Sequence, residues 1–192
     1  MSATSLAVLL SCLVSTAYFK RQLLPVAGPE PVMHITSLQA IPEKNQQILR
    51  LIKRKGASFA PTYESAVCTE FLIKVIVPFT PLSKSEMNAI RILTKEPLST
   101  LIEKDAPVIK GVQTALEKSG KGIRIDIVEN VKPGDFVQFW NSWFGYPWGH
   151  CGVVVSLVPH KSITMYSSHP NTNGFGKQTF LWPEKTYFVR LN

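Results

Sequence analysis

The chain has 192 residues, 45% of them hydrophobic, which is enough to bury the core of one domain without disulfide staples. Its formal net charge is +8, which fits either an ordinary solvated basic surface or attraction to a polyanion such as an anionic cell envelope, an anionic lipid surface or nucleic acid. The basic residues in 44–55 do not alternate with aromatic side chains, so we do not expect nucleic acid as a partner. The composition also excludes long disorder, and three cysteines exclude a disulfide framework.

The N-terminal residues are typical of an exported protein. An apolar run at 5–14 precedes small residues, which predicts a signal peptide over 1–19 and a secreted, periplasmic or envelope location. Two alternatives stay open, a membrane anchor or lipid attachment at Cys12, because the residues before Cys12 are similar to a bacterial lipobox. The prolines of 20–42 predict a linker or extended arm, which leaves 43–192 as one domain.

Apolar residues at helical spacing occupy the first half of this domain. Gly56 is expected to stop the first helix, and Thr62 or Ser65 can cap the second. Ser83 and Glu86 have the spacing of a capping box. We therefore predict helices over 43–55 and 61–76, a third from Ser83 to about Leu93, and two short helices that begin at Pro97 and Pro107, the last ending at Gly120.

After Gly122 the pattern changes to the alternation of β-strands. Because the helices come first and the strands second, the order predicts an α+β fold, with N-terminal helices packed on a C-terminal antiparallel sheet. The predicted strands are 123–128, 135–140, 151–157, 162–167 and 186–191.

Two residues carry the predicted chemistry. Cys68 lies near the start of a helix, where unpaired N–H groups favour the thiolate and can also hold an oxyanion. His150 begins a strand directly after an aromatic loop, at the margin of a cleft. Neighbouring strand residues face opposite sides of a sheet, so Cys151 is expected to face away into packing. This leaves Cys68 as the nucleophile and His150 as its base.

Other residues near this pair have two open interpretations. Tyr63 borders the predicted cleft or simply packs. The aromatic residues before His150 either form a wall for a peptide or glycan substrate or pin their loop by packing. We find no His or Cys pair at metal-ligand spacing, and we expect no cofactor. The aromatic residues are Trp140, Trp143, Tyr146 and Trp148.

Three segments carry a resemblance to a known family. They are AVCTEF around Cys68, VKPGDFVQF at 131–139 and GHCGVVV at 149–155. In this order they resemble the nucleophile helix, the PGD strand and the histidine strand of the NlpC/P60 and CHAP-like peptidoglycan amidases, which belong to the papain-like superfamily. Ala66 and Val67 replace the usual polar residue before the cysteine, and Glu70 replaces a small residue.

The resemblance implies a papain-like fold and a cysteine amidohydrolase that cleaves amide bonds in peptidoglycan peptides. It also implies a third polar residue, which orients the histidine from the following strand. Ser167 is the favoured position for it, and the other candidates are Tyr166, Ser168, His169 and Asn171. The alternative functions are a papain-like protease or an acyltransferase on a non-wall substrate, or a non-catalytic binding module.

Overall fold

The computed structural model describes residues 41–143 and 146–192, without the side chain of Trp143. The predictions for the leader, for Cys12 and for nearly all of the linker lie outside these residues. Within the described ranges, no helix is long and apolar enough to span a bilayer.

Five α-helices occupy the first half of the described chain, as the apolar spacing predicts. The predicted capping box is confirmed, since the Ser83 hydroxyl accepts from the Glu86 N–H and the Glu86 carboxylate accepts from the Ser83 N–H. The helices are α1 (Glu43–Phe59), α2 (Cys68–Ile76), α3 (Lys84–Ile90), α4 (Leu98–Glu103) and α5 (Val112–Lys118), with a 3₁₀ turn at Pro107–Lys110 before α5.

The helix predicted to begin at Pro107 is divided into the 3₁₀ turn and α5. Two further helix boundaries also differ from the prediction. Gly56 does not end α1 but lies inside it. A Cβ at this position would stand 2.5 Å from the ring of Phe175, so close packing against this ring requires glycine here. Residues 61–67 form turns instead of helix. Thr62 and Ser65 bond to each other's backbone N–H groups, so their hydroxyls stabilise the turn and leave α2 to begin at Cys68.

The second half forms one six-stranded antiparallel sheet in the order β1-β6-β2-β3-β4-β5. The predicted α+β class and helix-then-sheet order are therefore confirmed. One strand, β5, is not among the predicted strands, because its glycines interrupt the alternation. The described parts of the aromatic segment, 141–143 and 146–150, are also not loop, because they pair as strand residues of β2 and β3. His150 therefore lies inside β3 and does not begin it, contrary to the expectation. The strands are β1 (Gly122–Ile125), β2 (Phe136–Trp143), β3 (Tyr146–Val158), β4 (Ser162–His169), β5 (Gly174–Leu181) and β6 (Lys185–Leu191).

Each face of the sheet carries a hydrophobic core. The helix-side core joins the helices to one face and includes Leu72, Phe136, Cys151 and Val153. The outer core lies on the other face and includes Val137, Phe139, Val154, Ile163 and Phe180. Strand residues alternate between the two cores, as the period of a pleated strand requires.

A buried carboxylate ties α1 to the sheet at the turn before β2. Asp135 is fully buried, and each of its oxygens accepts two hydrogen bonds from nitrogen donors at 2.7–2.8 Å. Gly134 precedes it with φ +92°, and a Cβ there would stand 2.6 Å from Asn45. This turn fixes where β2 begins. The donors are Asn45, the Lys132 backbone and the Arg190 guanidinium.

Candidate active site

Cys68 is the first residue of α2, and it is half-buried. The residue before it, Val67, has no side chain that can cap the helix, and no side-chain cap bond is present. The first N–H groups of a helix have no partner within the helix. An uncapped start therefore leaves donors and partial positive charge beside the Cys68 sulfur.

The Cys68 sulfur lies where two neighbouring strands separate. The β3–β4 ladder runs from Val153 paired with Tyr166 to Val158 paired with Ser162, and no pairs join Cys151 to β4. The Cys151 N–H is therefore not used in the ladder, and it donates to Cys68. We call this unpaired region of β3 and β4 beyond Val153 and Tyr166 the strand gap. It gives a sulfur from the helix layer access to groups on the sheet.

The environment of Cys68 stabilises its thiolate. A hydrogen bond from the Cys151 thiol is the largest cause, and it lowers the pKa of Cys68. Burial acts in the opposite direction, but the charge of His150, its hydrogen bond and the Cys151 N–H lower the pKa further. The resulting pKa is well below that of an ordinary thiol, which favours the thiolate of Cys68.

The prediction that Cys151 faces away from the nucleophile is wrong. The alternation along β3 is as expected, but it directs Cys151, with Val153, toward the helix-side core, where Cys68 also packs. Burial, followed by the hydrogen bond to Cys68, raises the pKa of Cys151 well above its usual range. Cys151 is thus a protonated donor to the neighbouring thiolate.

His150 lies in a nearly closed aromatic box. It is 5% exposed, and its ring packs 5.9 Å from that of Phe139 and 5.4 Å from that of Phe180, both of the outer core. Its Nε2 atom makes no hydrogen bond among the described residues. The imidazole is thus held in place by packing, and its Nε2 atom is not engaged in a hydrogen bond within the described ranges.

His169, at the end of β4, is the polar side chain that packs against His150, with ring centroids 5.1 Å apart in an edge-to-face arrangement. Its Nδ1 accepts from the Asn171 N–H and from the side-chain amide of Gln178, each at 3.0 Å. Burial, and then the charge of His150, lower the pKa of His169 to about 3. His169 is therefore neutral, with its proton on Nε2.

Ser167, the favoured third residue, has a different neighbour. Its hydroxyl donates to the Cys151 carbonyl at 2.6 Å across the strand gap. It thereby holds the backbone beside the nucleophile, whereas the ring contact with His150 belongs to His169. We therefore replace Ser167 by His169 as the orienting candidate. Sequence reasoning missed Gln178, because its place beside His169 depends on β5.

The aromatic residues divide into different environments. Tyr63 is half-buried beside both thiols, since burial, and then the charges of Cys68 and Cys151, raise its pKa. Trp140 does not form a substrate wall, because it is 5% exposed and its indole N–H donates to the Ile109 carbonyl at 2.7 Å. Trp148 packs edge-on against Phe139 of the outer core.

Of the three described side chains among these aromatic residues, Tyr146 is the one that extends well into solvent, with 77% of its surface exposed. The side chain of Trp143 lies outside the described part of the structure. Among the described residues, no group of three or more His, Cys, Asp or Glu is placed to hold a metal ion.

Glu70 places a carboxylate in the first turn of α2, and its negative charge disfavours a thiolate at Cys68. Arg91 neutralises it through two hydrogen bonds, Nε to Oε1 at 2.5 Å and Nη2 to Oε2 at 3.0 Å. The hydrogen bond from Arg91 is the largest cause of a lowered pKa for Glu70. Glu70 is therefore ionised and paired, and its effect on Cys68 is reduced.

No family model, curated protein or solved structure matches this chain. The arrangement of Cys68, His150 and His169 is therefore interpreted from its own geometry.

Proposed function

We propose that this protein is a cysteine amidohydrolase of papain-like type. Cys68 is the nucleophile, His150 the general base and acid, and His169 orients His150. One observation carries the proposal: a thiol at an uncapped helix start interacts with a buried histidine, and the pKa of this thiol is lowered well below its usual range. Structural cysteines in apolar surroundings have raised pKa values, as Cys151 does.

The first half of the reaction forms a thioester. His150 holds the proton of Cys68, and the thiolate attacks the carbonyl carbon of an amide, which forms a C–S bond. Negative charge then develops on the carbonyl oxygen. N–H groups at the start of α2, including that of Cys68, stabilise this oxyanion, and each such donor is typically worth ~10²–10³ in rate.

The second half releases both products. His150 gives its proton to the leaving nitrogen as the C–N bond breaks, so an amine leaves and a thioester remains. His150 then takes a proton from water, whose oxygen attacks the thioester carbon, and the Cys68 thiolate is expelled. A neutral His169 beside His150 limits the orientations of the imidazole through this cycle without adding a second positive charge.

The substrate we propose is the peptide part of peptidoglycan. The support is the resemblance of the segments around Cys68, Asp135 and His150 to the peptidoglycan amidases, together with the arrangement of α2 on the strands β3 and β4. The net charge of +8 suits an anionic wall surface. The proposed location is the cell envelope or outside the cell.

Reactivity of Cys68 tests the enzyme part of the proposal. The full chain is treated with iodoacetamide over a pH series, and carboxamidomethylation of each cysteine is followed by peptide mass spectrometry. We expect rapid labelling of Cys68 at pH values well below the ordinary thiol pKa, and a shift to higher pH in His150→Ala. Equally slow labelling of Cys68 and Cys151 would contradict an enzyme and favour a binding module.

Digestion of purified peptidoglycan tests the substrate. We expect new amino groups and peptide fragments with the full chain, and none with Cys68→Ser at the same concentration. If no wall type releases an amine while Cys68 remains hyper-reactive, the wall substrate is wrong. A panel of peptide and acyl-ester substrates then distinguishes a protease from an acyltransferase.

A further inference from the structure

The site contains a second thiol that the hydrolytic mechanism does not need as a reactant. Cys151 is 1% exposed and packs against Cys68 in the helix-side core. Its S–H and its backbone N–H both donate to the Cys68 sulfur, and both cysteines are reduced in the structure. The helix that begins at Cys68 packs on β3, which carries Cys151, so the two thiols are neighbours in one core, as a disulfide between them requires.

The two thiols are unequal in the way that a redox pair requires. Cys68 is half-buried and its thiolate is favoured, so an oxidant can reach it and react. Cys151 is buried and its pKa is raised, so it stays protonated and does not compete for the oxidant. A low-pKa accessible cysteine beside a resolving cysteine is the arrangement typical of reversible thiol oxidation.

We propose that Cys68 and Cys151 form a reversible disulfide that inactivates the site when a hydroperoxide oxidises Cys68. The Cys68 thiolate attacks the outer peroxide oxygen, the O–O bond breaks, and an alkoxide or hydroxide leaves, so Cys68 becomes a sulfenic acid. The Cys151 sulfur then attacks the Cys68 sulfur. The S–S bond forms, the S–O bond breaks, and the hydroxide leaves with the Cys151 proton as water.

The disulfide protects the nucleophile while it stops catalysis. A sulfenic acid without a resolving thiol is oxidised further to sulfinic and sulfonic acids, which are irreversible for most proteins. A Cys68–Cys151 disulfide is instead reduced by a dithiol, which restores the thiolate. This inference rests on the proposed function for its effect on activity, but the disulfide itself can be measured without any substrate.

The test uses the full chain, reduced and freed of reductant, with a small molar excess of hydrogen peroxide. Non-reduced peptide mapping by mass spectrometry is expected to show one cross-linked pair containing Cys68 and Cys151, with a loss of two hydrogen masses. Cys12→Ser, which alters the remaining cysteine, is the matched control and should give the same cross-link. Wall-hydrolase activity should fall as the cross-link forms and return with dithiothreitol.

Cys151→Ser keeps a hydrogen-bond donor but removes the resolving sulfur. We expect Cys68 in this variant to trap dimedone as the sulfenic acid and then to become sulfinic acid, so that dithiothreitol no longer restores its starting activity. Sulfinic acid at Cys68 in the unaltered chain, with Cys151 still a free thiol, would overturn the inference. That result requires no folded variant.

If the chain hydrolyses amide bonds but peroxide produces no Cys68–Cys151 cross-link, the redox inference is wrong and the proposed function is unaffected. A cross-link in a chain that hydrolyses no amide would instead leave the redox pair in place and remove the proposed function.

Discussion

The turn around Asp135 and the strand gap around Cys68 both place polar groups inside this protein, and they do so in opposite ways. Asp135 is fully buried, and both of its oxygens accept their full set of hydrogen bonds. His150 is buried among aromatic rings, and its Nε2 makes no hydrogen bond among the described residues. A buried carboxylate with all of its hydrogen bonds made stabilises a fold. An imidazole with an unbonded nitrogen beside a thiolate is instead suited to proton transfer.

The comparison implies that residues of the two regions affect different quantities. Changes around Cys68 should reduce activity with little effect on the free energy of unfolding. Changes around Asp135 should reduce the free energy of unfolding, and the chemistry of the molecules that remain folded should be unchanged. The following experiments test this separation.

The largest effect is expected from the proposed nucleophile and its proposed base. Cys68→Ser or His150→Ala should lower kcat/KM by on the order of 10⁴–10⁶, because each removes a member of a unit that acts together. Urea unfolding should place the stability of Cys68→Ser within about 1 kcal/mol of the parent. If the free energy of unfolding fell enough to account for the lost activity, Cys68 and His150 would be needed for folding and the catalytic role would not be supported.

His169 should have the next largest effect. Its change to Ala removes the neutral ring beside His150, and kcat should fall by roughly 10²–10⁴, the range for groups that orient a catalytic histidine. The pH profile of kcat should shift as well, and His169→Asn should restore part of the rate. Ser167→Ala is the comparison, because its hydroxyl contacts the Cys151 carbonyl instead. Equal losses in both variants would contradict the orienting role.

Asp135→Asn should reduce the free energy of unfolding by about 3–5 kcal/mol, because it leaves the Arg190 guanidinium without its charged partner in a buried network. The matched control is Asp126→Asn, whose exposed ion pair with Arg124 should contribute less than about 1 kcal/mol. Chemical denaturation of both variants measures the difference. Similar losses in the two variants would show that the network around Asp135 has no special stabilising role.

Acid should destabilise the site through His169. Its pKa in the folded chain is about 3 and its ordinary value is 6.5, so the unfolded chain binds a proton first. The contribution of the neutral ring is complete above pH 6.5 and is lost as the pH falls toward 3. His169→Gln should therefore show a shallower decrease of stability in this window. If the free energy of unfolding changed with pH by the same amount in the parent and in His169→Gln, the His169 ring would not be protected from protonation.

The smallest effect should come from the Arg91–Glu70 pair. Arg91→Gln leaves the Glu70 carboxylate unneutralised in the first turn of α2, and this should raise the pKa of Cys68. The pH dependence of iodoacetamide labelling measures the shift. Arg91→Lys keeps the charge and should retain most of the parent value, whereas an unchanged pKa in Arg91→Gln would show that Glu70 does not act on the thiol.

Local patterns predicted much of the secondary structure. Ser83 and Glu86 form the capping box that their spacing predicts, and the alternation after Gly122 predicts most of the strands. The pairing of Cys68 with His150 is a hypothesis from the sequence that stays a prediction for function. Strand β5 was missed, because Gly174 and Gly176 replace residues that otherwise show the alternation.

The roles of Cys151, Ser167 and His169 depend on contacts between distant strands. Periodicity along β3 shows that His150 and Cys151 face opposite sides, but it does not show which side receives Cys68. The end of the β3–β4 ladder at Val153 decides this, because it leaves the Cys151 N–H for the sulfur. In the same way, Gln178 reaches His169 only because β5 pairs with β4.

The sequence by itself determined the α+β class, the order of helices and strands, and the presence of one thiol at a helix start and one imidazole on a strand. These features follow from local spacing and from propensities that act over a few residues. The tertiary structure alone decided that two thiols meet and that His169 packs against His150. These contacts arise from the register of strands that are far apart in the chain, and register is set by packing on both faces of the sheet.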